Sequence, residues 1–255
     1  MRTYSLALLA AASTLLVASP SARAAEMDTR IESSAKKSYV FKTYLKDDSI
    51  KTESKNGAVT LTGTVAEGFH KTLAQDTVEN LPGVKSVDNQ LKVDGEKHAE
   101  HSDGWIGTKV KMTLLFHRNV RGTKTDVDVK DGIVTLGGES SNLAQKELTT
   151  EYAKDIEGVK DVKNEMTIAR TPGKPDQTLG EKIDDASITA QVKSSLTWHR
   201  STSALKTKVT TTEGVVTVSG IAKNAAEKSL VTKLVTDING VTRVVNNMTI
   251  ELASN

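Results

Sequence analysis

The sequence predicts an α+β protein of three tandem small α-β-β-α-β domains, each a three-stranded sheet packed with two helices. The first observation is an eight-residue segment that occurs at 56–63, 131–138 and 213–220. Two copies start with Asn-Gly or Asp-Gly, which favour a type I′ hairpin turn because both central residues need positive φ. The residues that follow alternate apolar and polar, as in a strand with one buried face.

The second observation is that the three copies align without a gap when Gly57, Gly132 and Gly214 share one column. An aspartate lies 29 residues before this glycine in every copy, and a lysine lies 21 before it. So many matches over about 66 residues indicate duplicated domains. The matching residues include Asp28, Asp103 and Asp185; Lys36, Lys111 and Lys193; and Leu73, Leu148 and Leu230.

The stretches between the copies have the composition of linkers. Residues 96–102 are polar almost throughout, and 170–182 contain Pro172-Gly173-Lys174-Pro175, which continues neither a helix nor a central strand. The predicted division is a signal peptide at 1–24, domain 1 at 25–95, a linker at 96–102, domain 2 at 103–169, a linker at 170–182, and domain 3 at 183–255.

Each element of a copy has its own local signal, clearest in domain 3. Ile188, Val192 and Leu196 recur at i, i+4 and i+8, which predicts a first helix with one apolar stripe. A strand, the Glu213-Gly214 turn and a second strand follow. A second helix then ends at Asn239-Gly240, since glycine takes the left-handed conformation at no steric cost. The last strand is predicted from Val241 to Leu252.

The first 24 residues resemble a secretion signal. Arg2 gives a positive start, residues 6–17 are apolar, and Ala22-Arg23-Ala24 forms an A-x-A cleavage site. The apolar run is shorter than the roughly 20 residues of a membrane span. We therefore predict an exported periplasmic protein with no transmembrane span after cleavage.

The charge balance bears on the kind of partner. Removal of Arg2 and Arg23 with the signal peptide leaves 32 Lys and Arg against 32 Asp and Glu. A neutral chain is a poor candidate for nucleic-acid binding, although a local basic patch remains compatible with an anionic membrane.

No catalytic, metal or cofactor site is predicted. The chain has no Cys, which excludes thiolate metal sites and cysteine nucleophiles, and it lacks the H-E-x-x-H, G-x-S-x-G and P-loop patterns. His98 and His101 flank Glu100 in a polar linker, where a divalent cation would find no fixed geometry. We interpret them as solvated.

The repeated glycines and an asparagine are interpreted as structural. The glycines fit turns and helix ends, while the asparagine lies on the apolar face of the last strand and therefore needs a hydrogen-bond partner. These residues are Gly57, Gly63, Gly83 and Asn89; Gly132, Gly138, Gly158 and Asn164; and Gly214, Gly220, Gly240 and Asn246.

With these motifs in place, the copies resemble the BON domain. The pattern V-x-x-x-x-G-x-V-x-L-x-G followed by G-V-x-x-V-x-N-x-[LM]-x-[VI] is clearest from Val209 to Ile250 and extends to all three copies. The resemblance implies an α-β-β-α-β fold, an envelope location, no enzymatic activity, and a role in osmotic stress with binding of phospholipid or the membrane surface. Domain 1 departs most, with Lys42-Thr43 where the other copies have His-Arg.

The end of the first helix offers the most suggestive surface residues. An aromatic ring beside cationic groups suits a lipid interface, where the ring lies at headgroup level and the cation meets phosphate. Alternatively, the ring covers the sheet edge and the basic groups complement the helix dipole. The residues are Phe116, His117 and Arg118 in domain 2, and Trp198, His199 and Arg200 in domain 3.

Two functional hypotheses follow. The first is a non-enzymatic periplasmic stress protein that binds anionic phospholipid, the envelope surface or envelope proteins. The second is a periplasmic chaperone or protein-interaction module that binds unfolded clients without lipid.

Overall fold

The computed structural model describes residues 20–94, 101–169, 182–202 and 207–251 and shows three α+β domains. Most of the predicted signal peptide and most of both predicted linkers lie outside these ranges. Ala22-Arg23-Ala24 falls in the first turns of helix α1. Within the described ranges, no helix has the length and apolar character needed to span a bilayer.

The same order of elements occurs three times. Domain 1 contains α1 (Pro20–Lys37), α2 (Tyr39–Thr43), β1 (Ser49–Lys55), β2 (Ala58–Val65), α3 (Gly68–Glu79), β3 (Ser86–Asn89) and β4 (Lys92–Val93). Domain 2 contains α4 (Asp103–Phe116), β5 (Thr125–Lys130), β6 (Ile133–Ser140), α5 (Leu143–Lys154), β7 (Asp161–Asn164) and β8 (Thr167–Ile168). Domain 3 contains α6 (Asp185–Trp198), β9 (Thr207–Thr212), β10 (Val215–Ala222), α7 (Ala225–Thr236), β11 (Arg243–Asn246) and β12 (Thr249–Ile250).

The second strand of each domain is the centre of its sheet. In domain 1, β2 pairs antiparallel with β1 on one side and parallel with β3 and β4 on the other. The last strand, predicted as one continuous segment, is therefore two short segments along the same edge. The other two domains repeat this arrangement.

The repeated asparagine lies at the break in the last strand. The Asn89 amide donates to the Lys71 carbonyl in α3 at 2.8 Å, and its Oδ1 accepts from the Leu91 backbone amide at 3.2 Å. The side chain thus bonds the helix and replaces a backbone partner where the strand is interrupted. Asn164 and Asn246 make the corresponding bonds.

The hairpin turn has the predicted conformation. Asn56 and Gly57 have φ of 55° and 82°. Their backbone amides donate to the Asp28 carboxylate from 2.7 and 2.9 Å, which ties the turn to the first helix. The Ser54 hydroxyl also donates to this carboxylate, at 2.7 Å, and this bond together with those from the turn amides holds the pKa of Asp28 below its usual range. Asp103 and Asp185 accept the corresponding amides in their domains.

The first helix is continuous in domains 2 and 3 but interrupted in domain 1. Helix α1 ends at Lys37, and Ser38 caps the short α2 by accepting from the Phe41 amide. The Tyr39 amide donates to Asp184 at 2.8 Å, and the Val40 amide donates to Ser187 at 3.0 Å. The start of α6 in domain 3 thereby stabilises the interruption.

The three domains pack together, a point on which the sequence made no prediction. Helix α3 of domain 1 lies against α6 of domain 3, where Lys193 Nζ donates to Asp76 Oδ1 at 2.9 Å. Partial burial of this pair raises the pKa of Asp76 despite the neighbouring ammonium. The centroids of the Phe69 and Trp198 rings lie 5.6 Å apart, edge to face. The chain is thus one packed unit rather than three separate domains.

Candidate functional site

The structure buries the aromatic rings and the histidines that the sequence singled out at the helix ends, while Arg118 is half-buried and Arg200 is exposed. Phe116 ends α4 and Trp198 ends α6, with exposed fractions of 0% and 5%. His117 and His199 are also buried. All four lie at the boundary between domains 2 and 3, so none of them is available to a lipid surface in this arrangement. Their burial favours the structural alternative given by the sequence, and binding of lipid or a partner by these residues stays a prediction.

The end of the first helix in each of these two domains contacts the other domain in the same way. His117 forms an antiparallel bridge with Ile238, and His199 forms one with Ile156. The Arg118 amide donates to the Asp237 carbonyl at 2.9 Å, and the Arg200 amide donates to the Asp155 carbonyl at 2.8 Å. In both domains, the residues at the end of the first helix thus bind the turn that follows the second helix of the other domain.

The two arginines reinforce this exchange. The Arg118 guanidinium donates to the carbonyls of Ile238 and Val241, and the Arg200 guanidinium donates to those of Ile156 and Val159. A planar guanidinium can serve two carbonyls at once, which a lysine ammonium does less well. The arginines therefore cap carbonyls of the neighbouring domain, a role that neither sequence interpretation included.

The two histidines have different environments. The His117 ring stacks on Tyr152 at a centroid distance of 4.0 Å, and its burial, with smaller effects from His199 and Arg118, lowers its pKa to about 3. His199 Nε2 lies 3.2 Å from Asp155 Oδ2. That contact, more than the charges nearby, holds the pKa of Asp155 below its usual range.

Aromatic rings from all three domains meet beside this boundary. Phe116 and Trp198 are stacked at 5.7 Å, Tyr44 packs edge to face on Phe116 at 5.1 Å, and Phe69 packs on Trp198. Such pairs contribute about 0.5–1.5 kcal/mol beyond the burial of their area. The candidate aromatic residues therefore form the centre of the contact among the domains.

The remaining histidines give no support to a metal site. His101 packs near Trp105 at a centroid distance of 4.8 Å, while His98 lies outside the described residues. His70 contacts Asp48 at 2.6 Å. In the part of the chain that the structure describes, no group of three or more His, Asp or Glu is placed to hold a metal ion.

The face of each sheet that is turned away from the helices remains exposed. Val216 and Val218 of β10 are buried beneath α6 and α7, so their neighbours in the strand point outward. In domain 3, the outward face carries the cations Lys208 and Arg243 and no carboxylate among the described strand residues. Its members are Lys208, Thr210, Thr212, Val215, Thr217, Ser219, Ile221, Arg243, Val245 and Thr249.

The same columns carry the opposite charge in domain 2. Asp126 lies at the position of Lys208, and Asp161 lies at the position of Arg243; all four are exposed. The sheet face of domain 3 is therefore cationic where that of domain 2 is acidic. Sequence reasoning missed this surface, although the repeat alignment already contained the signal.

A comparison with known families decides the classification. The model described as "BON domain" matches residues 27–95, 102–170 and 184–251. The chain belongs to the BON family. Its three domains are called BON 1, BON 2 and BON 3 below.

Relatives of this BON protein are found in several bacteria. The "Osmotically-inducible protein Y" of Escherichia coli K12 is 30% identical over 193 residues, which are 75% of this chain and 92% of that protein. "Outer membrane lipoprotein DolP" of Haemophilus influenzae is 32% identical over 125 residues, 46% of this chain and 64% of that protein. The "21 kDa hemolysin" of Actinobacillus pleuropneumoniae is 30% identical over 126 residues, 46% of this chain and 64% of that protein. The prediction that this BON protein is not an enzyme agrees with its family and with the relatives named for osmotic induction and for the outer membrane.

Proposed function

We propose that this BON protein is a non-enzymatic periplasmic stress protein that binds the anionic phospholipid surface of the envelope through the open sheet face of BON 3. The secretion signal predicted from the sequence and the two relatives named for osmotic induction and for the outer membrane support the location and the role.

The observation that carries the binding site is the charge of the BON 3 face. Lys208 and Arg243 are exposed on one face of the sheet, and none of the outward residues in the described strands of BON 3 is acidic. Each Lys or Arg near an anionic membrane surface contributes about 1 kcal/mol to binding. The partly exposed Val215 and Val245, with exposed Ile221, add an apolar contribution that a headgroup region can accept.

Co-sedimentation with vesicles tests this proposal. The protein is mixed with vesicles of phosphatidylcholine alone or with a phosphatidylglycerol fraction, at low and high NaCl. We expect binding only to the anionic vesicles, reduced by salt because screening weakens exposed charges. Lys208→Glu with Arg243→Glu should weaken it at least about tenfold.

The matched control carries the same charge change elsewhere. Lys130→Glu with Lys163→Glu alters two exposed lysines on the open face of BON 2. Equal loss in both variants would show a general charge effect and refute the BON 3 site. Absence of binding to anionic vesicles, together with salt-independent suppression of client aggregation, would support the chaperone hypothesis instead.

A further inference from the structure

One surface of the repeat is occupied in BON 3 and open in BON 1. In BON 3, helix α3 of the same chain covers α6: Ala190 is fully buried, Trp198 packs against Phe69, and Lys193 bonds Asp76. Asp76 and Lys193 retain only 18% and 30% exposure of their side chains. This surface of a BON domain therefore accepts a helix that brings a carboxylate to the repeated lysine.

The same columns in BON 1 form an uncovered groove. Ser33 and Phe41, the counterparts of Ala190 and Trp198, are only partly buried, and Lys36, the counterpart of Lys193, is exposed. The groove has a volume of about 620 Å³ and lies between α1, α2 and β1.

Three lysines, Lys36, Lys46 and Lys51, line the groove, and Lys51 is paired with Glu53 of the same strand. The two carboxylates of the lining have partners within the domain, since Glu32 accepts from the Ser54 amide at 2.8 Å and Asp48 contacts His70. An occupant with carboxylates on its surface would complement Lys36 and Lys46.

Helix α5 has a carboxylate at the repeat position that Asp76 occupies in α3. Glu151 occupies the position in BON 2 that Asp76 occupies in BON 1, and Glu147 lies one turn before it. Both are exposed, as is Leu143 at the start of the same stripe. Among the described residues, the Glu151 carboxylate pairs with Lys154 at 3.4 Å. A surface pair of this kind contributes about 0–1 kcal/mol and can exchange partners at low cost.

The corresponding helix of BON 3 does not fit. In α7 the column of Asp76 carries Lys233, which is exposed and would repel the lysines of the groove. Charge therefore favours α5 over α7 as the helix that binds in the groove. Helix α3 is already packed against α6 of the same chain.

We propose that this protein associates with a second copy of itself, with the acidic face of α5 in BON 2 docking in the lysine-lined groove of BON 1. The contact is heterologous, because groove and helix are different surfaces of the chain, so copies add head to tail unless the ring closes.

Analytical ultracentrifugation over a concentration series at low salt, without lipid, tests the contact. We expect the average mass of the wild-type protein to rise with concentration. Lys36→Glu with Lys46→Glu should weaken association at least about tenfold, and so should Glu147→Lys with Glu151→Lys, because each places like charges against each other. A mixture of the two variants should associate again, since the acidic groove of one then meets the basic helix of the other.

Two controls keep the outcome decisive. Lys55→Glu with Lys92→Glu makes the same charge change on the open sheet face of BON 1 and should leave association intact. Circular dichroism verifies that the variants are folded. A wild-type protein that stays monomeric, or a mixture that shows no recovery, would overturn the proposal. Neither result bears on membrane binding through BON 3, which is measured with different residues.

Discussion

His117 and His199 occupy the same column of BON 2 and BON 3, yet they meet different partners across the boundary between these domains. His117 Nε2 lies 3.3 Å from Ser195 Oγ, whereas His199 Nε2 lies 3.2 Å from Asp155 Oδ2. The counterpart of Asp155 is Asp237, which accepts a hydrogen bond from the Tyr152 hydroxyl at 2.6 Å. Only one of the two histidines therefore has a carboxylate at its ring.

The buried His117 predicts a loss of stability in acid. Its pKa is lowered from 6.5 to about 3, so between these values the unfolded chain binds a proton that the folded chain does not. The contribution of His117 to the free energy of unfolding is therefore at its full value above pH 6.5. It decreases as the pH falls toward 3, by up to about 1.4 kcal/mol per pH unit. Urea unfolding at pH 7.5, 6, 5 and 4 measures it.

Removal of the titrating group should flatten this dependence. His117→Gln keeps a neutral polar side chain, and we expect a smaller fall in the free energy of unfolding between pH 6 and pH 4. His101→Gln, outside the boundary between the domains, serves as the control and should keep the wild-type slope. Equal slopes in all three proteins would contradict the assignment.

The interdomain arginines predict a structural rather than a lipid phenotype. Arg118→Ala removes the guanidinium from the carbonyls of Ile238 and Val241, of which Ile238 keeps the Val241 amide as a donor at 3.3 Å. Loss of the donor to a buried polar group costs about 1–3 kcal/mol. Chemical unfolding should show this loss. Both bonds come from Nη2, and Arg118→Lys should rescue the loss only in part, because the flexible lysine side chain is less preorganised than the planar guanidinium. Full rescue by lysine would show that charge alone is required.

We expect the Trp198 side chain to contribute strongly to the packing of the three domains against one another. Trp198→Ala removes a ring that contacts Phe116 of BON 2 and Phe69 of BON 1, and large-to-small changes of this kind cost about 3–5 kcal/mol. We expect a lower melting temperature, faster proteolysis between the domains and a larger radius in small-angle scattering. Trp105→Ala, at a partly buried position, is the matched control and should change these measurements less. An unchanged radius in Trp198→Ala would show that the rings do not hold the domains together.

We expect substitution of a glycine in the second strand to strain the backbone and destabilise the protein. Gly63 has φ of 116°, and a Cβ there would lie 1.9 Å from the Ser49 carbonyl oxygen. Gly63→Ala must shift the strand pair, and we expect it to destabilise the protein by about 1–3 kcal/mol. Gly68→Ala is the control, since its Cβ would meet nothing within 4 Å. Similar melting temperatures for the two variants would refute the strain.

The repeat alignment identified the Asp column but not its contact. Asp103 and Asp185 are in the first turn of their helices, as expected of a residue that favours the positive end of the helix dipole. Their carboxylates also accept the two turn amides 28 and 29 residues further along the chain. The recurrence at a fixed distance from Gly57, Gly132 and Gly214 was the signal for this contact.

The sequence by itself determined the order of helices and strands and the threefold repeat, but not the break in the last strand or the interruption of the first helix in BON 1. Helix stripes such as Ile188, Val192 and Leu196 and the positive-φ turn at Asn56-Gly57 depend on residues close in the chain, so local patterns suffice to predict them. The tertiary structure decided where Phe116, His117, Trp198 and His199 lie. A helix end with an aromatic and a basic residue has the same sequence whether it faces solvent or another domain, and only the meeting of distant residues such as Asp155, Asp237 and Ile238 settles its environment. For the same reason, the charge difference between the sheet faces acquired meaning only once the registers placed Lys208 and Arg243 on one exposed surface.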